Sequence, residues 1–370
     1  MTLIFWQGII SIHQHSFLET LAQQPDVEKV VLIVENDIST YRKNMGWGIP
    51  EFKHVTVIVS PTAQQVTDTI HTFKDAIHIM GGIRVGKMLA TAMDECIKLK
   101  CKLGIMTEPF NNAGTKGLLR TLKYKYYKLR YFKHINFVLA IGAQGVLQYT
   151  SLGFNTERLY PWAYFITVPT QTRTENPTEN IRIMYGGRLE AAKGIYNFVE
   201  ELTQCDMRNY SLDVYGEGED AEKLKHLVKL KGRTENIQFF PFLKYEDLLK
   251  VYASYDWVVL PSAQKDGWGV VVSEGMLNGL KALCSDICGV SRVIQPGKNG
   301  LVFNWAEPHN CINAIMNMLL NEGFATPSQI QHWANKGISA EAGASYFVKI
   351  INNVYNQKPK PNMPWNTPCI

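Results

Sequence analysis

Cysteine is scarce and irregular in this chain: seven among 370 residues, an odd number, with no pair spaced as a zinc knuckle or a C-x-x-C redox motif. A disulfide framework is excluded, and the thiols, including the near pairs Cys96 with Cys101 and Cys284 with Cys288, read as reduced and structural. No run of 18 or more apolar residues is present to span a bilayer. The opening MTLIFWQGII lacks the basic segment and small-residue cleavage site of a signal peptide, so it reads as a first β-strand in a chain that stays in the cytoplasm. Glycine (28) and proline (16) are at ordinary usage, and there is neither a 20–50-residue repeat nor a low-complexity tract, which excludes fibrous and solenoid classes. Acid is missing from one stretch altogether. Between Glu108 and Glu157 there are seven bases and no Asp or Glu; since the whole chain carries +5, the remainder is net acidic by two. The positive balance is therefore local, a docking surface rather than a generally basic protein.

What is present, 46% hydrophobic and 19% charged residues, suffices for two cores, and two domains fit the length. From residue 1 to about 166, the apolar runs LIFWQ, VEKVVLIV, HVTVIV, AIHIMGG, LGIM and FVLAIG alternate with helical patterns. The Thr-, Asn- and Pro-rich stretch 171–180 reads as a linker. Strands follow over 181–187, 212–216, 237–242, 257–262, 282–285 and 300–303, each leading into helical periodicity. Crossovers of this length require parallel strands with helices on both faces, so the expected fold is α/β, two Rossmann-like doubly wound domains. The boundaries drawn are 1–170, the linker 171–180, 181–345, and a C-terminal helix with a Pro-rich tail over 346–370 that either hangs free or returns to the first domain.

In parallel sheets ligands bind beyond the carboxyl ends of the strands. Three such turns in the second half carry chemistry. GGRLEAAKG places Gly187, Arg188 and Lys193 ahead of a helix, where two cations and helix-start amides suit a diphosphate. YGEGED places Gly216 and Gly218 in G-x-G-x-x-A; the next strand lacks the terminal acid of a dinucleotide site, and a plain tight turn is the alternative. In DGWGVVVSE, Asp266 and Glu274 flank Gly267, Trp268, Gly269 and Val270; carboxylates beside free amides suit vicinal hydroxyls. Together these describe a site for a nucleoside diphosphate bearing a sugar.

Residues 181–303 resemble the donor domain of the family 4 glycosyltransferases through GGRLEAAKG, YGEGED, NIQFFPF, YASYDWVVLPS, DGWGVVVSEGMLNG and GVSRVIQPGKNGLVF, in family order. The resemblance implies the GT-B fold, two domains facing across a cleft, and retaining transfer of a hexose-type sugar from a UDP or GDP sugar without an essential metal or other cofactor; the chain indeed has no D-x-D triplet, and Glu35-Asn36-Asp37 reads as an ordinary turn. It also implies roles: Arg188 and Lys193 on the leaving diphosphate, Glu274 on the ribose, Asp266 with the amides of 267–269 on the sugar, and Phe242 and Leu243 beside the base. The sequence departs from the family pattern at Asp266, where a glutamate is usual, and at Arg292, where an acid is common.

In the first half, Gly8 lets a backbone approach the donor phosphate, and His13 and His15 are candidates to line the cleft; Glu108 is the first choice for an acceptor-side carboxylate and His78 the second. On a helical wheel, KGLLRTLKYKYYKLRYFKHI puts Leu118, Leu122, Tyr126 and Leu129 on one side, and Lys116, Arg120, Lys123, Tyr124, Tyr127, Arg130 and Tyr131 on the other. A basic face interleaved with tyrosines suits anionic lipid headgroups and, by extension, a lipid-linked or oligosaccharide acceptor at the cytoplasmic face of a membrane; no nucleic-acid module accompanies it. The rival readings are an NAD-dependent oxidoreductase and a membrane-docked non-catalytic scaffold.

Overall fold

The computed structural model describes residues 1–38, 48–169, 180–205, 209–307 and 309–369; all but Asn180 of the expected linker lies outside them. The chain forms two compact units, Met1–Thr167 with Ala340–Pro364, and Val168–Ser339 with Trp365–Ile370.

In the first unit, β1 (Thr2–Ile9), β2 (Lys29–Asn36), β3 (Val55–Val59), β4 (Ile77–Met80), β5 (Lys102–Thr107), β6 (Phe137–Ile141) and β7 (Leu159–Trp162) form a parallel sheet ordered β3-β2-β1-β4-β5-β6-β7. The near-continuous apolar runs in β1, β2 and β6 follow from burial on both faces. Strand β7 escapes a pattern reading because Pro161 interrupts it; a proline is tolerated there because β7 is an edge strand. Helices α1 (Ile12–Ala22), α2 (Ala63–Thr72), α3 (Gly86–Lys98), α4 (Gly114–Tyr131) and α5 (Gly142–Ser151) make the crossovers. Glu35, at the end of β2, accepts the Lys87 and Met88 amides at 3.0 and 3.1 Å and so caps α3, which accounts for the Glu35-Asn36-Asp37 turn without a metal.

The second sheet, also parallel, is ordered β10-β9-β8-β11-β12-β13, from β8 (Ile181–Gly186), β9 (Tyr210–Tyr215), β10 (Ile237–Phe240), β11 (Trp257–Leu260), β12 (Lys281–Ser285) and β13 (Gly300–Phe303). All six strands expected from sequence are present. Its helices are α6 (Ile195–Leu202), α7 (Ala221–Leu230), α8 (Tyr245–Val251), α9 (Val270–Leu277), α10 (Asn310–Leu320) and α11 (Pro327–Gly337). The expected stripe on α6, Ile195, Phe198, Val199 and Leu202, is buried in the second core. Strand order reverses at β1/β4 in the first sheet and at β8/β11 in the second, and crevices at such reversals hold ligands.

The last helix, α12 (Ala340–Asn356), starts six residues ahead of the boundary drawn at 346 and packs in the first unit. Phe347 lies 5.9 Å from Phe5 and 6.0 Å from Phe17, Tyr346 stacks on Trp162 at 5.8 Å, and a side chain at Gly343 would collide with the Phe165 ring. The proline-rich tail is pinned at both ends. The Lys360 ammonium donates to the Thr156 carbonyl at 2.6 Å; further on, buried Trp365 packs on Gly337, and Trp333 Nε1 donates to the Thr367 carbonyl at 2.7 Å.

Candidate active site

In the second unit the turns after β8 and β11 are tied together by backbone. The carbonyl of Ala192 accepts the amides of Ala263 and Gln264 at 3.0 and 3.1 Å. Gly194, in the left-handed region at φ 65°, passes so close to Pro261 that a Cβ would stand 2.0 Å from its carbonyl oxygen. This approach sets Lys193 Nζ 2.5 Å from Asp266 Oδ2, an ion pair with the two side chains 20% and 17% exposed. The buried Ser262 hydroxyl donates to the same carboxylate oxygen at 3.2 Å. Arg188, on the same turn, is exposed and bridges to Glu190 at 3.0 Å, while its carbonyl receives the Tyr185 hydroxyl at 2.7 Å.

Beyond Asp266 the loop turns through Gly267, Trp268 and Gly269 into α9. Gly269, at φ 99°, is the helix N-cap; a Cβ there would press on Leu260 at 2.4 Å. The amides of residues 267–269 find no backbone carbonyl acceptor among the described residues, whereas the Asp266 and Trp268 carbonyls accept Gly289 and Val290. Two cations, a carboxylate and N–H groups without a backbone acceptor at a helix start thus stand at one end of the sheet, an arrangement chemically suited to a diphosphate and to hydroxyls. The Trp268 ring is buried and donates to Ser273 at 2.9 Å, so only its backbone is available to a ligand. Val270 opens α9; Phe242 and Leu243, after β10, are half-buried.

Glu274 departs from the open carboxylate expected. It is 2% exposed, its carboxylate accepts the Tyr252 hydroxyl at 2.6 Å and is bonded by Tyr245, and burial pushes its carboxyl up to about 7. A carboxylate has about four lone-pair directions, so two tyrosines leave room for a ligand hydroxyl. Burial and the same carboxylate raise the Tyr252 hydroxyl well above its ordinary range. The G-x-G turn serves packing: a Cβ at Gly216 would stand 1.9 Å from the Gly187 carbonyl oxygen, and one at Gly218 2.2 Å from that of Leu189. The glycines face the protein's own backbone, which favours the tight-turn reading over a dinucleotide site.

In the first unit a 280 Å³ pocket opens at the carboxyl ends of β1, β4, β5 and β6, lined among others by Gln7, Gly8, Gln14, Thr107, Glu108 and Tyr164. Glu108 is exposed and accepts the Tyr164 hydroxyl at 2.6 Å; Gln7 and Gln14 are hydrogen-bonded to each other. A Cβ on Gly8 would meet nothing within 4 Å, so the backbone there is open to approach. The His13 ring lies 6.3 Å from that of Tyr164, which lines the pocket. One histidine assignment, that of His78, is corrected. His15 bonds the Glu51 carbonyl at 2.8 Å and packs on Phe52, a structural place outside the pocket lining. His78 is fully buried between the Trp6 indole N–H, 3.2 Å from its Nδ1, and the Phe73 carbonyl, 3.0 Å from its Nε2, so no acceptor reaches it.

The basic helix α4 is turned the other way from the expectation. Gly117, Tyr127 and Tyr131 are buried, and Tyr124 stacks on Phe110 at 4.2 Å. Leu118, Leu119, Leu122, Tyr126 and Leu129 face outward, Leu129 at 79% exposure, beside exposed Lys116, Arg120, Lys123 and Arg130. Tyr124 and Tyr127 are therefore withdrawn as surface contacts: a tyrosine body fills the core while its hydroxyl reaches the rim. Sequence reasoning missed Ser262, Tyr245, Tyr252 and Tyr164; only Ser262, just past the end of β11 at Leu260, carried a positional signal.

The two-unit architecture is that of the GT-B glycosyltransferases. Over 95% of this chain it superposes on HepE of Anabaena in complex with UDP and glucose, TM-score 0.69 at 15% identity and 100% of that chain. On the lipopolysaccharide outer core galactosyltransferase WaaB the TM-score is 0.72 at 14% identity, covering 95% of this chain and 99% of that one. Within this fold, residues 170–338 match the family described as glycosyl transferases group 1. The chain is 30% identical over 129 residues to an uncharacterized glycosyltransferase of Methanocaldococcus jannaschii, 35% of this chain and 32% of that one. It is 25% identical over 122 residues to the alpha-D-kanosaminyltransferase of Streptomyces kanamyceticus, 32% of this chain and 31% of that one. The chain thus spans about a third of the length of these curated relatives.

Proposed function

We propose that the protein is a retaining, hexosyl-type glycosyltransferase of family 4. It moves a sugar from a UDP or GDP sugar to a glycan or lipid-linked saccharide of the capsule, lipopolysaccharide or exopolysaccharide kind. The observation that carries this reading is the Lys193–Asp266 pair beside the unused amides of residues 267–269. Arg188 and Lys193 neutralise the leaving diphosphate, each contributing roughly 2–4 kcal/mol in a dry site, so the transfer itself needs no essential metal. Asp266 and the glycine-loop amides orient the sugar, Glu274 takes a ribose hydroxyl between its tyrosines, and Phe242 and Leu243 border the base. Front-side attack by the acceptor hydroxyl, whose proton passes to a phosphate oxygen as the sugar–phosphate bond breaks, needs no protein nucleophile; Glu108, fixed by Tyr164, orients the acceptor. The UDP in the HepE complex and the group 1 match support a nucleotide-sugar donor.

No helix among the described residues is long and apolar enough to cross a membrane; in this reading α4 rests on the cytoplasmic face, its bases on anionic headgroups. The oxidoreductase alternative has little support, since the G-x-G glycines are occupied by backbone. The test is calorimetric titration, without divalent metal, against UDP, GDP, CMP and NAD, repeated with Arg188→Ala. Micromolar binding of one nucleoside diphosphate, lost in the variant, is expected. Binding of NAD alone overturns the reading, and turnover that inverts the anomeric centre overturns retention.

A further inference from the structure

The amino-terminal end of the first sheet, opposite the pocket, holds a second constellation. His78 stands near the amino end of β4, Cys96 in the last turn of α3, and Cys101 directly ahead of β5. One ligand atom from each lies within 4.8 Å of the other two, and all three residues are buried, Cys101 reaching the surface at 9%. Two sulfurs bound to one ion at about 2.3 Å stand at most about 4.6 Å apart, so closure around a cation needs side-chain rotation rather than backbone movement. The turn between the cysteines is already set, the Cys101 amide donating to the Cys96 carbonyl at 2.9 Å and Lys100 taking the left-handed region at φ 55°.

The imidazole is prepared in the manner of a metal ligand. Its Nε2 faces the Phe73 carbonyl at 3.0 Å, which fixes the proton there, and Nδ1 accepts the Trp6 indole N–H at 3.2 Å, a bond that a cation at Nδ1 displaces. A backbone carbonyl on the far nitrogen is the usual second contact of a metal-bound histidine. No fourth His, Cys, Asp or Glu among the described residues joins the group.

We infer that His78, Cys96 and Cys101 form a three-coordinate site for a thiolate-seeking d10 cation, Cu(I) in preference to Zn(II). Soft thiolates select these two metals, and Zn(II) in a structural site closes a tetrahedron with a fourth ligand that is missing here. Both thiols lose their protons on binding. The ion ties β4, α3 and the entry to β5 into one clip, at the amino-terminal end of the strands, away from the proposed acceptor pocket. Cys101, at the rim, is the entry point.

The experiment uses the full-length protein, reduced and with its thiols counted, titrated anaerobically with Cu(I) against a competing chelator and separately with Zn(II). The thiolate-to-metal charge-transfer band, native mass spectrometry and the melting temperature are read together. One equivalent of Cu(I), a raised melting temperature, and at least 100-fold weaker binding in Cys101→Ser but not in Cys284→Ala are expected. A reduced protein that shows neither band nor mass increment overturns the site, as does binding unchanged in Cys101→Ser. Zn(II) held as tightly as Cu(I) overturns the three-coordinate assignment. Cys101→Ser, at the rim, decides the matter even where Cys96→Ala or His78→Gln fails to fold.

Discussion

Glu274 links the donor site to stability through one proton. Burial raises its carboxyl from the usual 4.5 to about 7, so between those values the folded protein keeps a proton that the unfolded chain has released. Stability therefore falls as pH rises through that window, by at most about 1.4 kcal/mol per pH unit, and levels off above it. Urea unfolding at stepped pH should show this slope in the native protein and none of it in Glu274→Gln; Tyr252→Phe, which removes a hydroxyl that lowers the carboxyl, should extend the window upward. Lys193→Ala is expected to reduce turnover by about 10²–10³-fold, the usual cost of one charge-stabilising contact, with the fold intact by circular dichroism. Lys193 and Asp266 were legible because each follows a strand in a parallel sheet and each side chain suits the ligand. The tyrosines that grip Glu274 were not, because residues 22 and 29 positions upstream meet it only through tertiary packing, which leaves no local spacing to read.

The helix α4 carries two neighbouring stripes, one of tyrosine and glycine, one of leucine. Periodicity locates both and cannot say which faces the core, since hydropathy ranks leucine above tyrosine while shape and ring stacking decide the outcome. Tyr127→Ala should destabilise the first unit by about 3–5 kcal/mol, as large-to-small aromatic substitutions in cores do. Leu122→Ser with Leu129→Ser should leave the melting temperature nearly unchanged and weaken sedimentation with anionic vesicles; full retention on vesicles would remove the membrane role. At the G-x-G turn, Gly216→Ala forces the turns after β8 and β9 apart and should lower both stability and nucleotide affinity, measured by thermal unfolding with and without UDP. The strands themselves were readable nearly residue for residue, being short apolar runs with turn residues at both ends, apart from β7, where Pro161 hides an edge strand.

At the scale of the molecule, the chain passes between units three times, near 167, 339 and 364. Sequence periodicity shows that α12 has an apolar face but not which sheet receives it, which is why the helix boundary was drawn late. Deleting residues 340–370 would uncover Phe5, Phe17 and Trp162 in the first unit and Gly337 and Trp333 in the second. Limited proteolysis of the truncated chain should then release fragments from both halves rather than one resistant domain.

The same threading orders events during synthesis. Residues 340–364 leave the ribosome only after 168–339 have been made, a delay of roughly ten to thirty seconds at about 5–20 residues per second. For that interval the first-made half waits with a bare aromatic face while the later half closes around its own sheet. The half translated first is completed last, and its unfinished surface is the natural target for a holding chaperone.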